Sequence, residues 1–267
     1  MQTRLTEAAE KYLKAIGGPD HAAIWYKHLK TGEVFEINSQ MMYPAASVIK
    51  IPIMVEAFRQ SVAGAVFMDS LYTVHESRVA GGSGILKELH AGIAVSLRDL
   101  VKLMIVLSDN TATNFVIDLV GMQAINSNIR QLGLTATVLK RKLMGGPFYA
   151  RPDYSLEIDN TLSAEDIGRL LVKLVSGQAV NAAADNEMLD LLLRQQVNDR
   201  IPLLLPSAAK VAHKTGEFQT TRHDTGVVYG PEGPRYVLVM LTKGLSSPAY
   251  ATRFMAEFSR DVWEAHQ

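Results

Sequence analysis

Segments with strand character lie at the two ends of this 267-residue sequence, and a long helical region separates them. Near the N-terminus, residues 22–29 and 33–37 flank the turn Lys30-Thr-Gly and predict a β-hairpin. Toward the other end, β-branched runs predict three further strands, at residues 210–214, 225–229 and 235–242. Because both ends supply strands, we expect one antiparallel sheet built from both of them, in an α+β fold.

Helical periodicity fills most of the remaining sequence. Amphipathic patterns predict helices at residues 3–16, 97–107, 111–119, 122–132, 164–175, 186–195 and 248–265. Residues 47–58 are too apolar for a surface element and predict the start of a buried helix. We therefore expect a sheet lobe with flanking helices at 1–59 and 205–267, and an inserted all-helical lobe at 60–204. The cleft between two lobes is the natural place for a ligand, so we expect the active site there.

Composition excludes several classes of function. A hydrophobic content of 48% supports a large core and excludes disorder. The 27 basic and 27 acidic residues give no net charge, so bulk charge favours neither nucleic acid nor an anionic membrane as a partner. Cysteine is absent, which excludes thiol catalysis, disulfides and cysteine-ligated zinc. The histidines show no metal-binding spacing, so we expect neither a metal nor another cofactor.

The sequence leaves the cellular location open. No stretch reaches the roughly 18 consecutive apolar residues of a membrane span. The first ten residues carry charges where a signal peptide has its apolar region. We expect no signal peptide in this chain, which is compatible with the cytoplasm or with an exported compartment if a leader was removed. We expect the protein to be a monomer.

A Ser-x-x-Lys motif stands at the start of the predicted buried helix, as Ser47 and Lys50. Residues three apart share a helix face, so the amine can reach the hydroxyl. Apolar surroundings lower the pKa of a lysine, which a base that activates serine requires. The motif occurs again at Ser207 and Lys210, but this second copy follows a proline and leads into a strand. Its two side chains would not share a face, so we predict the first copy to be the reactive one.

Two polar tripeptides follow the first copy along the chain. Ser108, Asp109 and Asn110 stand between two predicted helices, and the simplest interpretation of such residues is a helix N-cap. The second tripeptide, residues 214–216, reads Lys-Thr-Gly at the end of a predicted strand, which by itself is typical of a turn.

The three motifs together are more specific than any one of them. In this order, Ser-x-x-Lys, Ser-Asp-Asn and Lys-Thr-Gly resemble the signature of class A β-lactamases and penicillin-binding proteins. The resemblance covers nearly the whole chain and includes the longer runs at residues 82–86, 105–114 and 212–217. It implies the β-lactamase/transpeptidase-like fold, in which a two-ended sheet carries an inserted helical lobe.

The resemblance also implies catalytic roles. Ser47 would be the nucleophile that becomes acylated, and Lys50 would be its activating base. Ser108 would pass a proton to the leaving nitrogen with the help of Lys214. Asn110 would hydrogen-bond the acylamide group of the substrate.

The resemblance implies further roles in substrate binding. Thr215 would hold the substrate carboxylate together with the lysine that precedes it. The backbone amide of Glu217 would form the oxyanion hole with that of the nucleophile, so substitutions that tilt Gly216 should matter. Arg222 is a candidate for a second cation beside the carboxylate, and we interpret His223 as a structural hydrogen-bonding residue rather than a base.

One part of the family pattern is missing. Class A enzymes have a glutamate that activates the deacylating water, and its expected position here falls on or next to Gly145. No carboxylate stands within several residues of that position, and Asp153 and Glu157 lie near the far end of the loop, as is typical of solvated charges. We therefore expect slow deacylation, with Lys50 as the base in both steps. The alternative is a water held by Asp153, Glu157 or Glu217.

These features support three interpretations of the function. The first is a serine hydrolase that opens β-lactam rings through a covalent acyl-enzyme on Ser47. The second is a D-alanyl peptidase, esterase or amidase of the same superfamily. The third is a sensor of β-lactams or peptidoglycan fragments that stays acylated. In each case the expected partner is a small β-lactam or acyl-D-Ala-D-Ala-like molecule, with no nucleic acid and no membrane.

Overall fold

The computed structural model describes residues 2–144 and 156–265, and an antiparallel sheet dominates it. The strands are β1 (Ala22–His28), β2 (Val34–Ile37), β3 (Tyr43–Pro44), β4 (Leu71–Thr73), β5 (Ala94–Ser96), β6 (Thr161–Leu162), β7 (Lys210–Phe218), β8 (Thr221–Gly230) and β9 (Gly233–Thr242). The main sheet has the order β2-β1-β9-β8-β7, and Ile24 of β1 lies opposite Met240 of β9. Strands from both ends of the chain thus pair directly, which confirms the predicted α+β fold.

The C-terminal strands are longer than predicted. β7 continues past Lys214 to Phe218, and β8 begins at Thr221, so the predicted strand end at Lys214 is wrong. Lys214 pairs with Thr225 and is fully buried in the sheet. The polarity that suggested a turn therefore belongs to buried side chains in the middle of a hairpin.

Helices cover both faces of the sheet and fill the middle of the chain. The α-helices are α1 (Gln2–Ala15), α2 (Lys50–Val62), α3 (Leu97–Val106), α4 (Asn110–Val120), α5 (Met122–Gln131), α6 (Ala164–Val175), α7 (Ala182–Leu193) and α8 (Pro248–Glu264). The predicted helix at 47–58 is in fact two elements, because a 3₁₀-helix (Ala46–Ile49) precedes α2.

Alternate residues along the strands of the sheet belong to two different hydrophobic clusters, one on each face. On one face, Ile24 and Met240 pack with side chains of α1 and α8, such as Tyr12 and Phe258. On the other face, Trp25 and its neighbours in the sheet join the helices of the middle region in a single cluster. The period of two along each strand thus gives each face its own partners. The lobe boundaries at 59/60 and 204/205 stay a prediction.

Helix α2 lies at the centre of the second cluster. All of its residues from Lys50 to Phe58 are buried. Burial of each large aliphatic side chain, such as Ile51 or Ile53, contributes about 1.5–3 kcal/mol to folding. This apolar packing offsets the cost of burying the Lys50 amine at the first residue of the helix.

A short ladder fixes the segment that leads into the 3₁₀-helix. In β3, Tyr43 pairs with Leu162 of β6, and Pro44 pairs with Thr161. The amide of Ala45 then donates to the carbonyl of Asn160 at 2.8 Å. The chain therefore enters the Ser47 turn from a buried segment whose backbone is paired with β6.

Candidate active site

Ser47 and Lys50 meet because the chain forms a 3₁₀-helix at this point. Side chains three residues apart eclipse in a 3₁₀-helix, and the Lys50 Nζ donates to the Ser47 Oγ at 3.0 Å. The preceding residue, Ala46, has φ of 43°, in the left-handed region that alanine rarely adopts. Strain of this kind is common at functional sites, where the surrounding packing maintains it. The sequence predicted the contact correctly but assigned it to an α-helix.

Lys50 is the hub of a buried hydrogen-bond network. Its side chain is 0% exposed, and its Nζ also lies 2.7 Å from the Ser108 carbonyl, 3.0 Å from the Ser108 Oγ and 2.8 Å from the Asn110 Oδ1. Burial, and then the nearby charge of Lys214, lower the pKa of Lys50 well below its ordinary value, although Asp109 opposes the shift. A buried lysine with these neighbours loses its proton easily, as a base for serine must.

Asp109 fixes the second motif by capping a helix. Its Oδ1 accepts from the amide of Ala112 at 2.8 Å, so it is the N-cap of α4, and the predicted cap is confirmed. Its Oδ2 accepts from the amides of Ile85 and Leu86 at 2.7 and 2.9 Å. Gly84 has φ of +120°, and a Cβ there would lie 2.3 Å from the Asp109 carboxylate. The loop before Leu86 can therefore approach the cap only with glycine at this position.

The cap directs Ser108 and Asn110 to the lysine. Ser108 has φ of 56°, and its hydroxyl lies within hydrogen-bond distance of the Lys50 Nζ. Asn110 accepts from Lys50 through Oδ1 and donates through Nδ2 to the carbonyl of Gly81 at 3.0 Å. The cap and the polar cluster are thus one structure. The tripeptide by itself favoured only the cap, and the resemblance to the family signature implied the cluster.

Lys214 is the second buried amine of the site. It is 0% exposed, and its Nζ donates to the carbonyl of Thr215 at 2.9 Å. Burial, and then the charge of Arg200, lower the pKa of Lys214 to about 7, against the opposing effects of Asp224 and Glu217. The positive form of Lys214 is therefore less strongly favoured than that of an exposed lysine.

Gly216 lets strand β7 pass close to the Ser47 turn. A Cβ at this residue would lie 3.1 Å from the Val48 Cγ2, 3.3 Å from the Ala46 Cβ and 3.3 Å from the His223 Cδ2. A side chain there would push the strand and the turn apart. Glycine thus allows β7 to lie against the Ser47 turn.

Arg200 is the residue that the sequence analysis missed. Its side chain is 1% exposed, and its Nη2 donates to the Glu217 Oε2 at 2.6 Å. Its Nη1 donates to the carbonyl of His223 at 3.2 Å. The predicted second cation, Arg222, lies beside the same carboxylate at 3.8 Å, while its own Nη1 donates to the carbonyl of Thr221 at 2.8 Å.

A buried network holds Arg200 in place. Asp224 accepts from the amide of Ile201 at 3.0 Å and contacts the His213 Nδ1 at 2.8 Å, while the His213 Nε2 lies 3.0 Å from the Asn198 Oδ1. Burial raises the pKa of Asp224, but the contact with His213 and the charge of Arg200 outweigh it, and the pKa is lowered. Asp224 is therefore a buried carboxylate that fixes the backbone next to the arginine.

His223 is a structural hydrogen-bonding residue, as predicted. Its Nδ1 accepts from the amide of Thr242 at 3.1 Å, so its Nε2 carries the proton and donates to the carbonyl of Pro44 at 2.6 Å. Burial lowers the pKa of His223 to about 4, despite the bonds to Pro44 and Arg222 that favour the charged form. The neutral imidazole joins β8 to the segment before the Ser47 turn.

The motifs meet at a pocket of about 240 Å³, whose lining includes Ser47, Asn110, Arg141, Asn160 and Glu217. A concave pocket of this kind is a natural position for a small ligand.

The loop that bears on deacylation is described only in part. Gly145 and Asp153 lie outside the described residues. Glu157 is exposed and does not line the pocket. The described base of the loop is closed by an ion pair between Arg141 and Asp159.

Comparison with known proteins identifies the family. A model of the β-lactamase enzyme family matches residues 4–266. The chain belongs to this family. A curated β-lactamase of Streptomyces cellulosae is 28% identical, over 90% of this chain and 78% of its own length. The predicted superfamily is confirmed, and the protein is a β-lactamase-like hydrolase.

Solved structures agree with the family match. The β-lactamase of Sphaerobacter thermophilus is 30% identical and superposes with a TM-score of 0.90, over 99% of this chain and 97% of its own. The structure of PBP-A is 27% identical with a TM-score of 0.85, over 98% and 96%. A mutant of PBP-A, solved as an acyl-enzyme complex with penicillin G, is 28% identical with a TM-score of 0.84, over 98% and 96%.

Residues 2–144 and 156–265 contain no group of three or more His, Asp or Glu side chains arranged to hold a metal ion. Within the same ranges, no helix has both the length and the apolar character that crossing a membrane requires.

Proposed function

We propose that the protein opens β-lactams by forming an ester on Ser47. The observation that carries this proposal is the buried Lys50 Nζ, which lies 3.0 Å from both the Ser47 Oγ and the Ser108 Oγ. A single amine in contact with two hydroxyls is able to receive a proton from one and return it through the other.

Acylation follows from this geometry. Neutral Lys50 takes the Ser47 proton while the Oγ attacks the lactam carbonyl carbon. The backbone amides of Ser47 and Glu217 stabilise the negative oxygen that develops. As the carbon–nitrogen bond breaks, Ser108 gives its proton to the nitrogen and regains one from Lys50. The products are a serine ester and an amine.

Substrate binding involves the second lysine. The positive form of Lys214, with the Thr215 side chain, would attract a carboxylate on the substrate, and Arg222 would add positive charge. Arg200, to which the sequence did not point, contacts Glu217 from within the protein. Asn110, already bonded to Lys50, would present its amide to the acylamide side chain.

Deacylation is the slow step in this proposal. No carboxylate stands within several residues of Gly145, where the family glutamate is expected. Lys50 then serves as base again: it takes a proton from water, the water oxygen attacks the ester, and the Ser47 Oγ recovers the proton as the ester bond breaks. The acyl-enzyme reported for the PBP-A mutant is consistent with an ester that persists in this fold.

Intact mass spectrometry after mixing with a penicillin or a cephalosporin tests the proposal. We expect an adduct that forms quickly and decays slowly, and a product trace with a burst close to the enzyme concentration. Fast turnover without a burst would contradict slow deacylation. An adduct that lasts for hours would favour a sensor, and no adduct would favour a peptidase, esterase or amidase with a different acyl substrate.

A further inference from the structure

The side chain of Glu217 occupies the edge of the candidate active site. It is 61% exposed, and it lines the same pocket as Ser47 and Asn110. The proposed function uses only the backbone amide of this residue, so the carboxylate has no role in it. Its position at the mouth of the pocket places a negative charge where an incoming substrate passes.

The Glu217 carboxylate is paired with the arginines of this region. Its Oε2 accepts from the Arg200 Nη2 at 2.6 Å and lies 3.8 Å from the Arg222 Nε. Arg200 is 1% exposed and donates to Glu217, which lines the pocket. Among the described acids, Asp199 also lies near Arg200, with its Oδ1 3.5 Å from the Nε.

The pairing changes the charge that a substrate meets. The buried Asp224 is already committed to His213 and to the amide of Ile201. Among the described acids that contact Arg200, Glu217 is the one that also lines the pocket. A substrate carboxylate would have to displace this ion pair or lie against a like charge, and both cost free energy.

We propose that Glu217 is a specificity-determining residue, whose carboxylate pairs with Arg200 and weakens the attraction that Lys214, Thr215 and Arg222 would exert on a substrate carboxylate. Lactams with a carboxylate remain substrates, but the site discriminates less against uncharged esters, amides and lactams than it would with glutamine at this position. The inference rests on the proposed acylation of Ser47, and it explains a choice of substrate rather than the chemistry.

A matched pair of probes tests the inference: one cephalosporin with its free carboxylate, and the same cephalosporin as its methyl ester. The second-order rate of adduct formation is measured by intact mass for the wild type and for Glu217→Gln. We expect the ratio of the carboxylate rate to the ester rate to rise about five-fold in the variant, because a repulsive charge near 4 Å is removed even where water screens it. The rise should shrink as salt is added.

Glu232→Gln is the control, since Glu232 is an exposed acid in the turn between β8 and β9 and its loss changes the net charge equally. Glu217→Ala is a second variant and should shift the ratio in the same direction. Equal ratios in the wild type and both Glu217 variants, with adducts present, would overturn the inference and leave the proposed function intact. An equal rise in Glu232→Gln would also overturn it. No adduct with either probe in any protein would overturn both.

Discussion

The two copies of the Ser-x-x-Lys motif have the same spacing and opposite environments. In the first copy, Lys50 is 0% exposed and donates to Ser47 at 3.0 Å. In the second copy, Ser207 and Lys210 are both exposed, and Lys210 begins strand β7. The first spans a 3₁₀ turn that brings its ends together, whereas the second runs from a loop into an extended chain.

The difference shows what makes the motif reactive. The spacing provides contact only where the backbone turns once in three residues. Burial then lowers the pKa of the lysine, which a solvated amine does not experience. A second set of contacts, from Ser108 and Asn110, orients the amine in the first copy. The two copies share the Ser-x-x-Lys pattern, but they differ in backbone geometry, in burial and in hydrogen-bond partners.

Replacement of the two serines gives the largest contrast. Ser47→Ala should abolish every adduct with a penicillin or cephalosporin, because the bond-forming oxygen is removed. Ser207→Ala should acylate at the wild-type rate, since that hydroxyl faces solvent. Intact mass spectrometry of both variants measures the contrast. An adduct that survives in Ser47→Ala, or disappears in Ser207→Ala, would show that the comparison assigns the nucleophile to the wrong copy.

The two lysines give the next largest contrast. Arginine keeps the positive charge but does not lose its proton in proteins. Lys50→Arg should therefore lower the acylation rate about 1000-fold, the range typical of a lost general base. In the wild type the rate should rise with pH as Lys50 deprotonates, well below the ordinary lysine pKa, and this limb should be absent from the variant.

Lys210→Arg is the matched control, because Lys210 is exposed at the start of β7. Stopped-flow or quenched mass measurements over a range of pH record both profiles. If Lys50→Arg retained a wild-type rate and pH profile, the buried amine would not be the base.

A smaller effect concerns the segment that leads into the first copy of the motif. His223 donates a hydrogen bond to the carbonyl of Pro44 in this segment. The pKa of His223 is about 4 in the folded protein, against about 6.5 for an unfolded histidine. Between pH 6.5 and pH 4 the unfolded chain binds more protons than the folded protein. The contribution of neutral His223 to stability is therefore complete above pH 6.5 and is lost as the pH falls toward 4. We expect the free energy of unfolding to be about 2 kcal/mol lower at pH 5 than above pH 6.5 for this reason.

Urea unfolding from pH 7 to pH 4 measures this dependence. His223→Gln should flatten it, because the side chain no longer titrates. His75→Gln, which removes an exposed histidine, should leave it unchanged. The same slope in all three proteins would mean that protonation of His223 does not govern the acid sensitivity of this segment.

Much of the architecture follows from local patterns in the sequence. The apolar period predicted helices α3 to α8 to within a few residues at most ends, and the two-ended sheet followed from the distribution of β-branched runs. The predicted end of β7 was wrong because the prediction followed apolar residues. Lys214 and Thr215 are polar residues that the site itself buries within the strand. Local polarity does not distinguish an exposed turn from a buried functional strand.

The candidate site divides in a similar way. Ser47, Lys50, Ser108 and Lys214 were found because they belong to short motifs. Arg200 belongs to no motif, and its contacts with Glu217 and His223 depend on distances that only the folded sheet sets. The pairing of the Glu217 carboxylate was missed for the same reason, since the sequence pointed to its backbone amide and, as an alternative, to a water that Glu217 would hold.

The position of β9 between β1 and β8 has a consequence for biosynthesis. A ribosome makes Ile24 more than two hundred residues before its neighbour Met240, so the central ladder cannot close until most of the chain has emerged. Long-range pairing of this kind forms slowly. Until then the N-terminal hairpin has an unpaired strand edge, which promotes aggregation. Under the proposed function, the Ser47 hydroxyl would stay unactivated throughout that interval, because the elements that would activate it have not yet assembled around it.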